Sequence, residues 1–133
     1  MAKNQQGFKL DLFILSILSK QDCYGYQFTR IIKKQSNDVI NTQVSSLYPI
    51  LYRMIDEGLI SSYEQIVVKR RRRVYYRIEE KGKAELQRLM DEYLRTNAAI
   101  QGVLDYVPTA EEKEVAGTFV EDSVIFNETP VMA

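Results

Sequence analysis

Residues 59–82 read LISSYEQIVVKRRRRVYYRIEEKG. Two runs rich in β-branched and aromatic residues flank five consecutive cations, Lys69 to Arg73. In the second run Val74, Tyr76 and Ile78 alternate with Arg73, Tyr75 and Arg77, the period of a strand with one face on a core. That alternation assigns Val74, Tyr76 and Ile78 to the interior and the other three to solvent. The first run, residues 59–68, supplies a partner strand, so the stretch predicts a β-hairpin that turns through Lys69–Arg72. Neither Gly nor Asn is present to tighten such a turn. Like charges crowded there repel one another, so the expected tip is loose until an anion neutralises it.

The cationic tip belongs to a neutral chain. Its 133 residues carry 18 basic and 18 acidic side chains. The charges are unevenly placed: residues 1–82 hold 14 Lys and Arg against 8 Asp and Glu, and residues 83–133 hold 4 against 10. A front half at +6 and a rear half at −6 point to an anionic partner for the front.

A hydrophobic content of 45% is that of a folded chain, and the length is that of one domain. The longest apolar runs, such as LFILSIL, fall far short of a membrane span. The opening MAKNQQGFKLDLF has no signal-peptide hydrophobic region, and a cytoplasmic protein is expected. The single cysteine, Cys23, excludes an intrachain disulfide. With no histidine in the chain, a Ser-His or Cys-His nucleophile is excluded, and a zinc site would have to be built on Asp and Glu. No P-loop or dinucleotide glycine pattern occurs. The neighbouring carboxylates Asp56-Glu57 and Glu111-Glu112 read as solvated charges. No catalytic, cofactor or metal site is therefore expected, and the chain does not read as an enzyme.

Upstream of the hairpin lie three helical patterns. FKLDLFILSILSK (residues 8–20) is apolar around most of its circumference, which calls for cover on more than one side; Leu12 and Leu15 are assigned to contact with a second chain. DCYGYQFTRIIKKQ (residues 22–35) starts at Asp22 or Cys23 and carries the stripe Phe28, Ile31, Ile32. Gly25, early in that helix, costs about 1 kcal/mol against Ala and implies a close packing approach. NTQVSSLYPILYRMIDEGLI (residues 41–60) puts Val44, Leu47, Leu51, Met54 and Ile55 on one face. Asn41 or Thr42 is its expected cap, and Gly58 is its stop. Pro49 removes a backbone hydrogen bond and is tolerable near the first turns, so this helix starts late or bends. Its other face carries Gln43, Ser45, Ser46, Tyr48, Tyr52 and Arg53.

Downstream, residues 80–107 form a long helix. Leu86, Tyr93, Ile100 and Val107 recur every seven residues, and Met90, Asn97 and Leu104 form the companion series. These are the d and a positions of a short coiled-coil seam with a second protomer, Asn97 fixing its register. Pro108 stops the helix, and Thr109 to Glu112 has capping-box spacing, so a brief helix follows.

Three helices followed by a hairpin is the order of a winged helix-turn-helix, a mainly α fold with a small β-hairpin. In that fold the third helix enters the major groove of double-stranded DNA and the hairpin lies along phosphates. The tip residues Lys69, Arg70, Arg71, Arg72 and Arg73 are assigned to phosphates. Gln43, Ser45, Ser46 and Arg53 are assigned to base edges. The expected division is 8–80 for the DNA-binding domain, 81–107 for the dimerisation helix Leu86, Met90, Tyr93, Asn97, Ile100 and Leu104 belong to, and 108–133 for a short acidic tail. The alternative is a protein-interaction module whose basic wing meets an acidic partner.

Three pieces in this order resemble the PadR family of bacterial transcriptional regulators. They are LDLFILSILSKQDCYGYQF, SSLYPILYRMIDEGLI and RRRVYYRIEEKGKAEL, covering about residues 8–105. The resemblance is to the short members with one C-terminal dimerisation helix. It implies a homodimeric repressor at an inverted-repeat operator, with the first and last helices forming the dimer interface. It also implies that Tyr48 contacts phosphate or sugar, and that Gly25 and Tyr26 match a Gly-Tyr pair opening the second helix. Glu79 departs from the pattern, standing where the family usually has a threonine cap. Cys23 replaces a more usual small or apolar residue and reads as packing. Some short members stack a flat aromatic effector on tryptophan between subunits; this chain has no tryptophan, and Tyr93 is the residue that would take that part.

Overall fold

The computed structural model describes the backbone of residues 2–113 and the side chains of residues 10–113. The remainder of the acidic tail, and the side chain of Phe8, lie outside the described residues. The chain divides into two compact units, residues 1–95 and 96–133.

In the first unit α1 (Ala2–Leu18) leads into a two-residue strand, β1 (Cys23–Tyr24), and then α2 (Gly25–Gln35) and α3 (Val44–Asp56). The hairpin follows as β2 (Ile60–Val67) and β3 (Arg71–Ile78), joined by a 3-10 turn at Val68–Arg70. The last helix, α4, runs Glu80–Leu104. The sheet is antiparallel in the order β1-β3-β2.

One core joins these elements. Ile14 and Leu15 of α1, Cys23 of β1, Phe28 of α2, Leu47, Leu51 and Met54 of α3 and Ile60 of β2 are all fully buried. Each of the aliphatic and aromatic side chains among them contributes roughly 1.5–3 kcal/mol of transfer free energy. Of the stripes expected on α2 and α3, Phe28, Ile32, Leu47, Leu51 and Met54 are buried, and Ile31, Val44 and Ile55 are half-buried. Leu15 is spent in this core and offers no surface to a partner, whereas Leu12, Phe13 and Ile17 are only partly covered.

Several expectations are corrected. The hairpin gains a third strand, because Cys23 pairs with Tyr76 and Tyr24 with Tyr75. Consequently α2 starts at Gly25, with Tyr24 as its cap. The cap of α3 is Gln43 rather than Asn41 or Thr42. The Asn41 amide instead donates to the Asp38 carbonyl at 3.0 Å. Pro49 lies inside α3, where its missing N–H removes the donor for the Ser45 carbonyl. Ser45 is exposed, so water can serve that carbonyl. Val74, assigned to the interior, is 42% exposed. It pairs with Glu64 on β2, and only Tyr76 and Ile78 of its series pack on the core.

The start of α4 belongs to the same unit. Gly82 and Leu89 are buried, and Leu86 packs against the core. Spaced four and three apart, they turn one side of the helix to the core, and Leu86 of the expected seven-residue series lies on that side. Met90, Tyr93 and Leu94 are exposed. The Glu79 carboxylate, standing where the family usually has a threonine cap, accepts a short hydrogen bond from the Ser61 hydroxyl.

In the second unit the end of α4 and the residues after it expose Ile100, Val103, Leu104, Tyr106 and Val107. The capping box forms as expected. The Thr109 N–H donates to Glu112 at 2.8 Å, and the Glu112 N–H donates to the Thr109 hydroxyl at 3.1 Å. Those bonds hold the Glu112 carboxyl below its usual range. Among the described residues no helix is long and apolar enough to cross a membrane.

Candidate nucleic-acid interface

The site begins at the N-terminus of α3. Gln43 is extended (φ −102°, ψ 148°), and its carbonyl accepts the Ser46 N–H at 2.9 Å. Gln43, Ser45 and Ser46 are all exposed there, at the positive end of the helix dipole. Pro49 and Tyr52 continue the exposed side.

Tyr48 lies half-buried beside them. Its ring stacks on Tyr52 with centroids 6.0 Å apart. The ring also explains Gly25: a Cβ there would lie 2.9 Å from the Tyr48 hydroxyl oxygen. The second helix thus opens with glycine because α3 fills the space a side chain would need.

Arg53 is drawn elsewhere. Its guanidinium donates to both carboxylate oxygens of Asp11 in α1, at 2.8 and 2.7 Å, and to Glu57 at 3.2 Å. Engaged there, near the C-terminal end of α3, it does not join Gln43, Ser45 and Ser46. Burial raises the Asp11 carboxyl above its ordinary value, although Arg53 works against the rise.

The wing carries the cations. Lys69 (φ 62°) and Arg70 (φ 59°) both adopt the left-handed conformation and turn the chain through the tip. Lys69, Arg70 and Arg71 are exposed and make no ion pair among the described residues. Arg72 pairs with Glu64 at 2.9 Å, both well exposed, a contact of little strength. Arg73 is half-buried, and its guanidinium carbon lies 4.0 Å from the centre of the Tyr24 ring.

A further cationic stripe was missed from sequence. On α2 the exposed residues Tyr26, Arg30, Lys33 and Lys34 share one side, with Arg30 over the Tyr26 ring at 5.6 Å. Its signal was available: Arg30, Lys33 and Lys34 have i, i+3, i+4 spacing. A partly apolar cleft of about 590 Å³ lies between α1, α2 and residues 36–40, lined by Phe13, Ile17, Ile31 and Ile40 with Lys20 at its edge. Cys23 is fully buried, and burial pushes its thiol up to about 11, consistent with packing rather than redox sensing.

Three helices, a small antiparallel sheet and a charged hairpin define a winged helix-turn-helix protein of the transcription-regulator class. The model of the transcriptional regulator PadR-like family matches residues 14–88, and the chain belongs to that family. It is similar to uncharacterized protein X of Lysinibacillus sphaericus, 30% identical over 112 residues, 84% of this chain and 88% of that protein. Among solved structures it is similar to a transcriptional regulator from Clostridium thermocellum (TM-score 0.67, 28% identity, 76% of this chain and 94% of that one). It is also similar to a PadR-like transcriptional regulator from Bacillus cereus (TM-score 0.64, 26% identity, 74% and 93%).

Proposed function

We propose that the protein is a sequence-specific DNA-binding repressor, not an enzyme, acting in the cytoplasm as a homodimer at an inverted-repeat operator. The observation that carries this reading is the pairing of two exposed features. One is the polar N-terminal end of α3, with Gln43, Ser45 and Ser46 uncovered. The other is the cationic wing tip, with Lys69, Arg70 and Arg71 lacking ion-pair partners among the described residues. Side chains of the first kind read base edges in the major groove. Cations of the second kind neutralise phosphates and release counterions. Tyr48 and the α2 stripe add backbone contacts, which position the protein without selecting sequence.

Residues 8–80 form the DNA-binding part in this reading, and residues 81–107, in which α4 ends at Leu104, form the dimerisation part. Support for pairing comes from the apolar side chains left exposed on α4: Met90, Tyr93 and Leu94, then Ile100, Val103 and Leu104. A flat aromatic effector would stack on Tyr93, which is 44% exposed.

The test is selection from a random duplex pool at about physiological salt, followed by salt titration of the enriched sequences. An inverted repeat with half-sites about one helical turn or a multiple apart is expected. Steep salt dependence without enrichment would leave a nonspecific DNA coater. Absence of any binding would overturn the reading and favour an acidic protein partner.

A further inference from the structure

We propose that Arg73 and Arg77 are positioning residues that hold the wing against the start of α2, and that Arg73 makes no phosphate contact. The inference rests on the DNA-binding reading and concerns how the wing is aimed. Arg73, Tyr75 and Arg77 alternate along β3 and share one side of the sheet. Tyr75 lies directly across from Tyr24 on β1 and from Tyr63 on β2, so three tyrosines form one row over three strands. Tyr24 meets Tyr75 edge-on at 5.6 Å, and Tyr63 stacks on Tyr75 at 5.7 Å. The two arginines close the ends of the row. Arg73 covers Tyr24 at 4.0 Å and Arg77 covers Tyr63 at 4.9 Å.

The row is anchored outside the wing. Tyr24 is the cap residue of α2. Asp22, two residues earlier, accepts the Tyr63 hydroxyl at 2.7 Å and pairs with Arg77 at 3.6 Å. The connection between α1 and α2 is thereby gripped at Asp22 and Tyr24 by residues of both wing strands. A two-stranded ribbon on its own is marginally stable at best in water. Tying it to the helix that precedes α3 fixes the angle between wing tip and recognition helix before DNA arrives, which lowers the ordering cost of binding. Arg73 differs from the rest of the tip in where its charge is held. Its guanidinium is on Tyr24, whereas Lys69, Arg70 and Arg71 are exposed.

The experiment measures affinity for the selected duplex across a salt series, with thermal melting of each variant. Arg71→Ala is the phosphate control and should flatten the log–log salt slope by about 0.9. Arg73→Ala should weaken binding roughly five-fold with the slope unchanged. Tyr24→Leu, which alters no charge, should weaken binding to a similar degree. Combining it with Arg73→Ala should add nothing further. A slope lowered by Arg73→Ala as by Arg71→Ala, with Tyr24→Leu binding normally, would make Arg73 a phosphate contact and overturn the proposal. Lower melting temperatures with unchanged affinity would reduce the row to a stability contact and overturn it too. If the wild-type chain bound no duplex, the DNA reading itself would fail and take this inference with it.

Discussion

The carbonyl oxygen of Leu59 occupies the space where a side chain at Gly82 would begin: a Cβ there would lie 2.1 Å from it. The same carbonyl accepts the Glu79 N–H at 2.9 Å. The first turn of α4 is therefore seated against the corner between α3 and β2 with no room to spare. Helix propensity alone favours Ala over Gly by about 1 kcal/mol, and contact with rigid backbone reverses that preference. Gly82→Ala should destabilise the fold by roughly 3 kcal/mol. Gly102 meets nothing within 4 Å, so Gly102→Ala should stabilise by about 0.5–1 kcal/mol. Urea unfolding of the two variants checks both signs, and equal effects would show that the packing at Leu59 is not tight.

At the wing tip, Lys69 and Arg70 hold a left-handed backbone that costs roughly 1–2 kcal/mol per non-glycine residue. Asn-Gly takes up that conformation readily. The double change Lys69→Asn, Arg70→Gly should stabilise the domain by about 1–2 kcal/mol. It should also weaken DNA binding and flatten the salt slope by roughly 1.8, two cations' worth. Stability and affinity moving in opposite directions would mark strain retained for charge. A variant more stable and equally tight on DNA would remove the tip from the interface.

Local periodicity made most of this fold legible. The apolar stripes Phe28, Ile31, Ile32 on α2 and Leu47, Leu51, Met54 on α3 sit where the helical repeat put them. The hairpin could be read from the alternation around the cations, and the capping box at Thr109 from its spacing. Features made by distant partners could not. β1 has two residues and no pattern of its own, and exists because β3 offers Tyr76 and Tyr75 to pair with. Arg53 looked free because its acceptor, Asp11, is 42 residues away. Arg73 looked like its cationic neighbours because its ring partner, Tyr24, lies on another element. Leu89 lies outside the seven-residue series, yet Gly82, Leu86 and Leu89, spaced four and three apart, form the side of α4 that meets the core.

The Asp11–Arg53 pair makes a pH-dependent prediction. Asp11 is held above its ordinary value by burial, with Glu57 and Glu85 adding to the rise and Arg53 opposing it. A carboxyl raised in the folded state binds its proton more tightly there than in the unfolded chain. Its contribution to stability is therefore present in acid and is lost as pH rises through the folded value. Arg53→Ala removes the opposing cation and raises the carboxyl further. The variant should be less stable by roughly 1 kcal/mol at neutral pH, a modest figure because Arg53 is partly exposed. The gap to wild type should narrow as pH falls and Asp11 protonates. Urea unfolding at neutral pH and at about pH 5 gives the comparison, within the carboxylate titration range. A gap independent of pH would mean that Asp11 does not sense the arginine.

Cys23 is the one thiol in the chain and is fully buried. Burial pushes it up to about 11, from an ordinary value of 9.0. That rise corresponds to about a hundredfold less thiolate than in a free cysteine at neutral pH. Alkylation of the folded protein at pH 8 should therefore be slower than that of a model thiol by at least about that factor, and denaturant should restore the ordinary rate. Stability is also affected: between 9 and 11 the unfolded chain ionises this thiol while the folded chain does not. Stability should fall with rising pH over that window, and Cys23→Ala should lose this part of the fall. The alanine variant should also be destabilised at neutral pH by about 1 kcal/mol through the small cavity it leaves. DNA binding by the folded Cys23→Ala protein should be the same in oxidant and in reductant, as it should be for the wild type. Rapid alkylation of the native thiol, or wild-type affinity that changes with oxidant while the alanine variant's does not, would return Cys23 to the role of a sensor.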